Sequence, residues 1–294
     1  YPEDKKNAYK EDAFVRFFMG ILYEIGGTQE DLNDAFVSYK KAEMIYIKDY
    51  KENYNIRIPH LLIENLLAMA RWIGTDEQDA YNKKYNGFDG VAYLERRKKG
   101  EIYFIHYNGK FPEKIEHAIW LPMPDGYVMK IAFPQYRRRM YSIQDSMVKI
   151  THLDSGQTQN AKTETGEDIA EIAIKNLENR KARVTAKAIA RATAKYLAIR
   201  EGTRAVENKL GKTEGRYAGL LGNMAAIAME KADLRCWKTL PAEIRIGKCL
   251  VDPGDHEVEL FFFDDAGNLI RRYPLPEMTV KEGETKFLFF RTMN

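Results

Sequence analysis

Cysteine is nearly absent from this chain. Its 294 residues hold two, Cys236 and Cys249, so a fold stapled by several disulfides is excluded at this length. One bridge or two unrelated thiols both remain open, because disulfide geometry is strict. Histidine is scarce too: His60, His106, His117, His152 and His256. None stands at metal-ligand spacing from Cys, Asp or Glu. His60 falls at a helix start and His106 inside a strand pattern, where structural roles are expected. A G-x-S-x-G elbow, a phosphate-binding loop and a dinucleotide fingerprint are all missing. The glycines of 215–222 recur at helix spacing with no strand before them, which marks packing notches. Asp264-Asp265 sits in a turn, where Asp serves local hydrogen bonding, and the ligand spacing of a calcium loop is lacking. These absences predict no catalytic residues, no cofactor, no metal and no enzymatic activity.

Long apolar runs are missing as well. No stretch approaches the ~18–20 residues of a membrane span. No signal peptide is present, and the chain opens with Tyr1 rather than Met, which reads as a mature or trimmed piece of a longer precursor. Nor does one sign of charge dominate. Forty-six basic residues face 43 acidic ones, for a net charge of +3. A dedicated nucleic-acid binder carries a stronger excess or a concentrated stripe, so nucleic acid is not an expected partner.

What is present is a globular composition, 45% hydrophobic, enough to bury a core. The first ~85 residues read as helices. Phe14, Phe17, Phe18, Ile21, Leu22 and Ile25 recur at helical spacing up to Gly26-Gly27. A second helix starts near Asp31 and carries Ala35, Tyr39 and Ala42 on one face. A third spans Pro59 to Ile73, with Pro59 at a helix-start position, and a short one covers Gln78 to Tyr85. Glu101 to Tyr107 is β-rich and runs into Asn108-Gly109, a hairpin signal. A short strand with proline-marked ends fits Tyr127 to Phe133, and Met147 to Thr151 is another strand. Residues 155–166 are polar and read as loop. One long alanine-rich helix is expected from about Glu167 to Leu210, and a second from Tyr217 to Leu234, forming an αα-hairpin. The last ~55 residues alternate in short strands between turns such as Asp252-Pro253-Gly254-Asp255, which predicts a small β-sandwich. The fold class expected is α+β, in two parts: 1–98 helical, and 99–294 mixed, with the helical pair at 167–234 and the β part at 240–294.

Gly20-x-x-Tyr23 followed by Ala35-x-x-x-Tyr39-x-x-Ala42 resembles a tetratricopeptide repeat, in which small residues sit where paired helices touch. The gap from Gly20 to Ala35 exceeds the usual repeat, and Gly26-Gly27-Thr28 absorbs the excess. A single repeat cannot bury its own face, so further repeats are expected before Tyr1. The arrangement as a whole resembles an uncharacterised family of bacterial envelope lipoproteins, with tetratricopeptide-like helices, an alanine-rich helical pair and a β tail. Three stretches carry that resemblance: Glu11 to Gly20, Leu32 to Ala42, and Ala232 to Ile244 ahead of the Asp252-Pro-Gly254 turn. It implies a periplasmic, outer-membrane-associated location through a lipidated N-terminus that this chain lacks. It transfers no catalytic residues.

Two basic clusters remain. Glu95-Arg96-Arg97-Lys98-Lys99 reads as a solvated helix end, where cations suit the dipole. Tyr136-Arg137-Arg138-Arg139-Met140-Tyr141 interleaves guanidinium with aromatics, so Tyr136, Arg137, Arg138, Arg139 and Tyr141 form the candidate contact surface, with the rim of a β domain as the plainer reading. Its partners would be a protein, or anionic envelope polymer or lipid headgroups. The functional expectation is a non-catalytic scaffold or binding protein of the bacterial cell envelope. The alternative is a structural subunit of a larger envelope assembly (secretion, motor or surface complex), which would make the chain a homo-oligomer or part of one.

Overall fold

Asp12 starts the first helix, α1 (Ala13–Gly26), by accepting a hydrogen bond from the Val15 amide. Gly27 ends it at φ 74°. Thr28 and Asp31 then cap each other reciprocally at the start of α2 (Gln29–Ile45). That helix runs through a π-helical segment, Tyr46–Tyr50, into α3 (Lys51–Tyr54), closed by Asn55 at φ 56°. Next come α4 (His60–Ile73), α5 (Thr75–Lys84) and α6 (Tyr93–Arg97). α1 meets α2 at Gly20, where a Cβ would run into the Tyr39 ring. Ala35, Tyr39 and Ala42 are wholly buried.

The structure, a computed structural model, describes residues 11–88 and 90–293. Tyr1, on which the reading of a trimmed precursor rests, lies outside the described residues. The fold is mixed α+β, with several sheets and a helical hairpin. Contacts divide the chain into two units. The first takes the described residues of Tyr1–Phe111, Arg139–Ala173 and Thr239–Asn294, and the second takes Pro112–Arg138 and Ile174–Lys238.

In the first unit, β1 (Gly100–Asn108) is buried along nearly its whole length. It pairs antiparallel with β7 (Glu243–Val251) and parallel with β10 (Thr285–Arg291), while β6 (Glu164–Glu167) extends the sheet past β7. Successive β1 side chains alternate between two cores. Tyr103 and Ile105 enter the core shared with α1, α2 and α4. Ile102 and Phe104 enter a second core with Val148, Ile150, Val258, Leu260 and Phe262. Those partners come from β4 (Asp145–His152) and β8 (Gly254–Phe263), the middle of a sheet ordered β5-β4-β8-β9, with β5 at Thr158–Lys162 and β9 at Leu269–Val280. The unit therefore stacks helices on one face of a sheet and a second sheet on the other.

The second unit holds a two-stranded ribbon, β2 (Glu113–Pro122) and β3 (Val128–Arg137), and the hairpin of α8 (Lys181–Leu210) and α9 (Lys212–Met229). The shorter α7 (Ile169–Asn179) precedes α8. Gly215 lies against Glu207, and Gly219 against Tyr127 and Thr203. These close approaches are the packing notches the glycine spacing implied.

Six expectations need correction. Asn108-Gly109 makes no hairpin: β1 has both edges occupied by β7 and β10, so β2 pairs with β3 instead. β3 runs through Pro134 to Arg137, because a two-stranded ribbon leaves each strand an open edge where a missing N–H is tolerated. Residues 158–167 are not loop but supply β5 and β6. That moves the start of the expected long helix from Glu167 to Ile169, where Asp168 accepts from the Glu171 amide, and a turn at Arg180 divides it. The strands of 240–294 form no self-contained sandwich: β7 and β10 flank β1, whereas β8 and β9 join β4 and β5. Contacts also do not break at residue 98, since Tyr103, Ile105 and Ile246 share the helices' core.

Gly20→Ala should cost about 1–3 kcal/mol, the usual penalty for overpacking a filled interior, and an unshifted thermal melt would show that this packing does not hold. A second expectation concerns pH. The Tyr50 hydroxyl donates to the buried Glu167 carboxyl at 3.2 Å. Burial first, and the Asp12 carboxylate second, push that carboxyl from 4.5 up to about 8. The folded chain thus keeps a proton that the unfolded chain has lost, so stability falls as pH rises from about 4.5 through about 8. Glu167→Gln should flatten that slope in melting curves; parallel profiles for the two proteins would rule it out.

Candidate functional site

The basic-aromatic run falls on both sides of the division between units. Tyr136, Arg137 and Arg138 belong to the second unit, Arg139 and Tyr141 to the first. Tyr136 is half-buried on β3, with Lys114 Nζ over its ring at 5.4 Å from the centroid. Beside it, Arg137 Nη2 donates to Glu113 Oε2 at 2.8 Å, and its side chain stays 64% exposed. Arg138 is exposed and Arg139 half-buried. Tyr141 is half-buried against Gly109.

Tyr136 also lines a cavity of about 280 Å³ in the second unit. Phe133 and His117 come from the ribbon, and Ile174, Leu177 and Val184 from the helices. The walls mix apolar and polar surface, and Glu178 and Lys181 place one charge of each sign among them. Such a groove can hold an apolar side chain of a partner with polar contacts beside it. The same unit carries a second feature. Tyr217, Leu220, Leu221 and Met224 of α9 are 66%, 52%, 65% and 60% exposed. They recur at helical spacing opposite the buried Gly215 and Gly219, so one face of α9 is an apolar stripe open to solvent.

The first unit contains a cluster of buried polar groups. Asn65, on α4, is fully buried. Its Nδ2 donates to the hydroxyls of Tyr39 and Tyr103, each at 3.3 Å. Its Oδ1 accepts from Arg96 Nη1 and from Lys248 Nζ, each at 2.8 Å. Arg96 pairs with the buried Glu24 and lies 3.7 Å from Glu101. Lys248 Nζ lies 3.7 Å from the same Glu101 oxygen, and its side chain is 6% exposed. Burial, then repulsion from Arg96, lowers the Lys248 amine to about 7. A cavity of about 220 Å³ is lined by Lys248, Arg96, Glu64, Gln159 and Asn160, with Val91 and Leu250 as apolar walls.

This cluster overturns one expectation. Arg96 is not part of a solvated helix end, because α6 turns it inward against Glu24 and Glu101. Lys248 was not singled out from sequence. Its signal was there: Ile244, Ile246 and Lys248 share one strand face, so the lysine occupies an apolar phase of β7.

His106 and His60 each have hydrogen-bond partners within the chain. Buried His106 meets Ser146 Oγ at 2.9 Å and Thr292 Oγ1 at 2.8 Å. Burial lowers its imidazole to about 3, and both His106 and Ser146 are enclosed. His60 meets Glu164 at 2.8 Å. Cys236 and Cys249 are both free, and burial pushes the Cys249 thiol up to about 12. Among the described residues, no group of three or more His, Cys, Asp and Glu is placed to hold a metal ion.

Arg137 and Arg96 should separate cleanly on substitution. Arg137→Ser removes an exposed pair and should cost under about 1 kcal/mol. Arg96→Met leaves buried Glu24 without its cation and should cost about 3–5 kcal/mol. Urea titrations of both variants check this, and equal losses would refute the assignment of one to the rim and the other to the interior. No family model, curated protein or solved structure matches this chain.

Proposed function

We propose that the protein is a non-catalytic scaffold or binding protein of the bacterial cell envelope, and that its second unit holds a protein partner. The α9 stripe carries this reading: four large apolar side chains at helical spacing face water, a cost that a covering partner removes. The neighbouring features of the same unit fit such a role. The cavity beside Tyr136 accepts an apolar anchor, and exposed Arg137 and Arg138 offer cationic contacts to acidic protein, anionic polymer or lipid headgroups. No described helix is long and apolar enough to cross a membrane. The periplasmic, outer-membrane-associated location rests on the resemblance of Glu11 to Gly20, Leu32 to Ala42 and Ala232 to Ile244. We read α1 and α2 as a tetratricopeptide-like pair, which the Gly20–Tyr39 approach supports, and the two facing four-stranded sheets as a sandwich, which their common core supports.

The second reading is a structural subunit that packs on copies of itself. The alanine-rich outer face of α8, with exposed Ile189 and Leu197, favours it. Light scattering of the pure protein separates the two, since a monomer supports the scaffold and a ring or filament supports the assembly. A photoreactive residue at position 221 should capture one discrete species in cells, and the same residue at Lys209 should not. Leu221→Glu with Met224→Glu should abolish that capture and leave the melting temperature nearly unchanged, as expected for exposed positions. Undiminished capture by the double variant would overturn the proposal.

A further inference from the structure

Lys248 has chemistry that its structural role does not use. A buried amine tied to one carboxylate would complete an ion pair and stop there. This one also lines a cavity that reaches solvent between exposed Val91, Gln159 and Asn160. Glu64 lines the same cavity, and burial raises its carboxyl above the ordinary range, with Lys248 opposing. Asn65 Oδ1 accepts one Lys248 N–H at 2.8 Å and so fixes the amine in place.

We propose that the cavity is a site for a small aldehyde or ketone, which Lys248 captures reversibly as an imine. The proposal is independent of the contact face on the second unit. A lysine desolvated beside another cation is a nucleophile at neutral pH, because a large fraction of it is the free amine. The nitrogen lone pair forms a bond to the carbonyl carbon as the C=O π pair moves to oxygen. A proton passes from nitrogen to that oxygen, giving a carbinolamine. Glu64, as the acid, then protonates the hydroxyl, which leaves as water while nitrogen forms the C=N bond. The Glu64 carboxylate takes the remaining N–H proton. Amine and carbonyl become imine and water, with no oxidant or reductant. Gln159 and Asn160 offer amide donors and acceptors to polar groups of the ligand, and the apolar walls of Val91 and Leu250 flank its carbon chain.

The test treats the whole protein at pH 7 with propanal and cyanoborohydride, which makes each imine permanent, and maps the label by peptide mass spectrometry. Lys248 should be labelled about tenfold or more faster than exposed lysines, which remain almost entirely protonated there. Its rate should rise through about pH 7, whereas exposed lysines climb steadily to higher pH. Glu64→Gln should slow labelling at Lys248 several-fold and leave the other lysines unchanged. An unchanged Lys248 rate in that variant would remove Glu64 from the step. Lys248→Met should lose the fast label, but it also strips Glu101 of a cation and so perturbs folding as well, and the mapping of the unaltered protein decides. Labelling of Lys248 no faster than that of exposed lysines overturns the proposal.

Discussion

Asn65 is fully buried and must find its four hydrogen-bond partners within the protein, and the first unit is arranged around that requirement. Its amide draws one group from each of four elements: Tyr39 of α2, Tyr103 of β1, Lys248 of β7 and Arg96, carried by α6. Tyr39 passes the connection to α1, since its hydroxyl donates to Glu24 at 2.8 Å. Glu24 in turn neutralises Arg96. Each member satisfies another, so losing one leaves a buried charge or donor exposed to the full desolvation penalty. Apolar packing alone would let helices slide on a sheet. A polar network of this kind accepts one register, and here it joins residues nearly two hundred positions apart in the chain.

Much of the local structure was legible. The apolar spacing of Phe14 to Ile25 and the Gly26-Gly27 stop are short-range signals, and α1 forms where those signals lie. The strand character of Glu101 to Tyr107 was equally plain. A strand buried on both faces reads as a nearly continuous apolar and aromatic run, and β1 is that strand. Its partners were not legible. Asn108-Gly109 has hairpin chemistry, and Gly109 does adopt φ 68°. The hairpin signal assumes an open edge, however, and the edges of β1 go to β7 and β10, which lie more than a hundred residues downstream. A parallel neighbour such as β10 leaves no turn signal at all.

The candidate sites show the same split between local and distant information. Charge runs were read by their own composition, so Glu95 to Lys99 looked like a solvated helix end. The partners that draw Arg96 inward, Glu24 and Glu101, lie on other elements. Arg137 meets a carboxylate as well, yet stays at the surface because Glu113 is its cross-strand neighbour on a two-stranded ribbon. Two arginines in similar sequence settings therefore end in opposite environments, and what decides is whether a second layer covers the element. Lys248 was missed for a related reason. A single lysine in an alternating strand is common on exposed faces, and its meaning came only when the phase of Ile244 and Ile246 was seen to point into the helices' core.

The second unit inverts the usual economy of an amphipathic helix pair. Its contacts run through small residues: Ala188 and Ala192 pack with Ile131 of the ribbon, and Gly215 and Gly219 approach Glu207, Tyr127 and Thr203. Close backbone approach gives good dispersion contact but little apolar area per residue, because alanine and glycine bring almost none. The large residues of α9 consequently lie outside the contact rather than within it. Polar pairs compensate in part, as where buried Glu230 meets Arg191 at 3.1 Å and Lys195 at 2.5 Å, but pairs with one partly exposed member contribute modestly. A unit with so thin an apolar centre gains stability from whatever covers its outer face, since anything bound to the folded form alone shifts the equilibrium toward it. The packing that closes the hairpin is thus also what leaves the large residues of α9 uncovered.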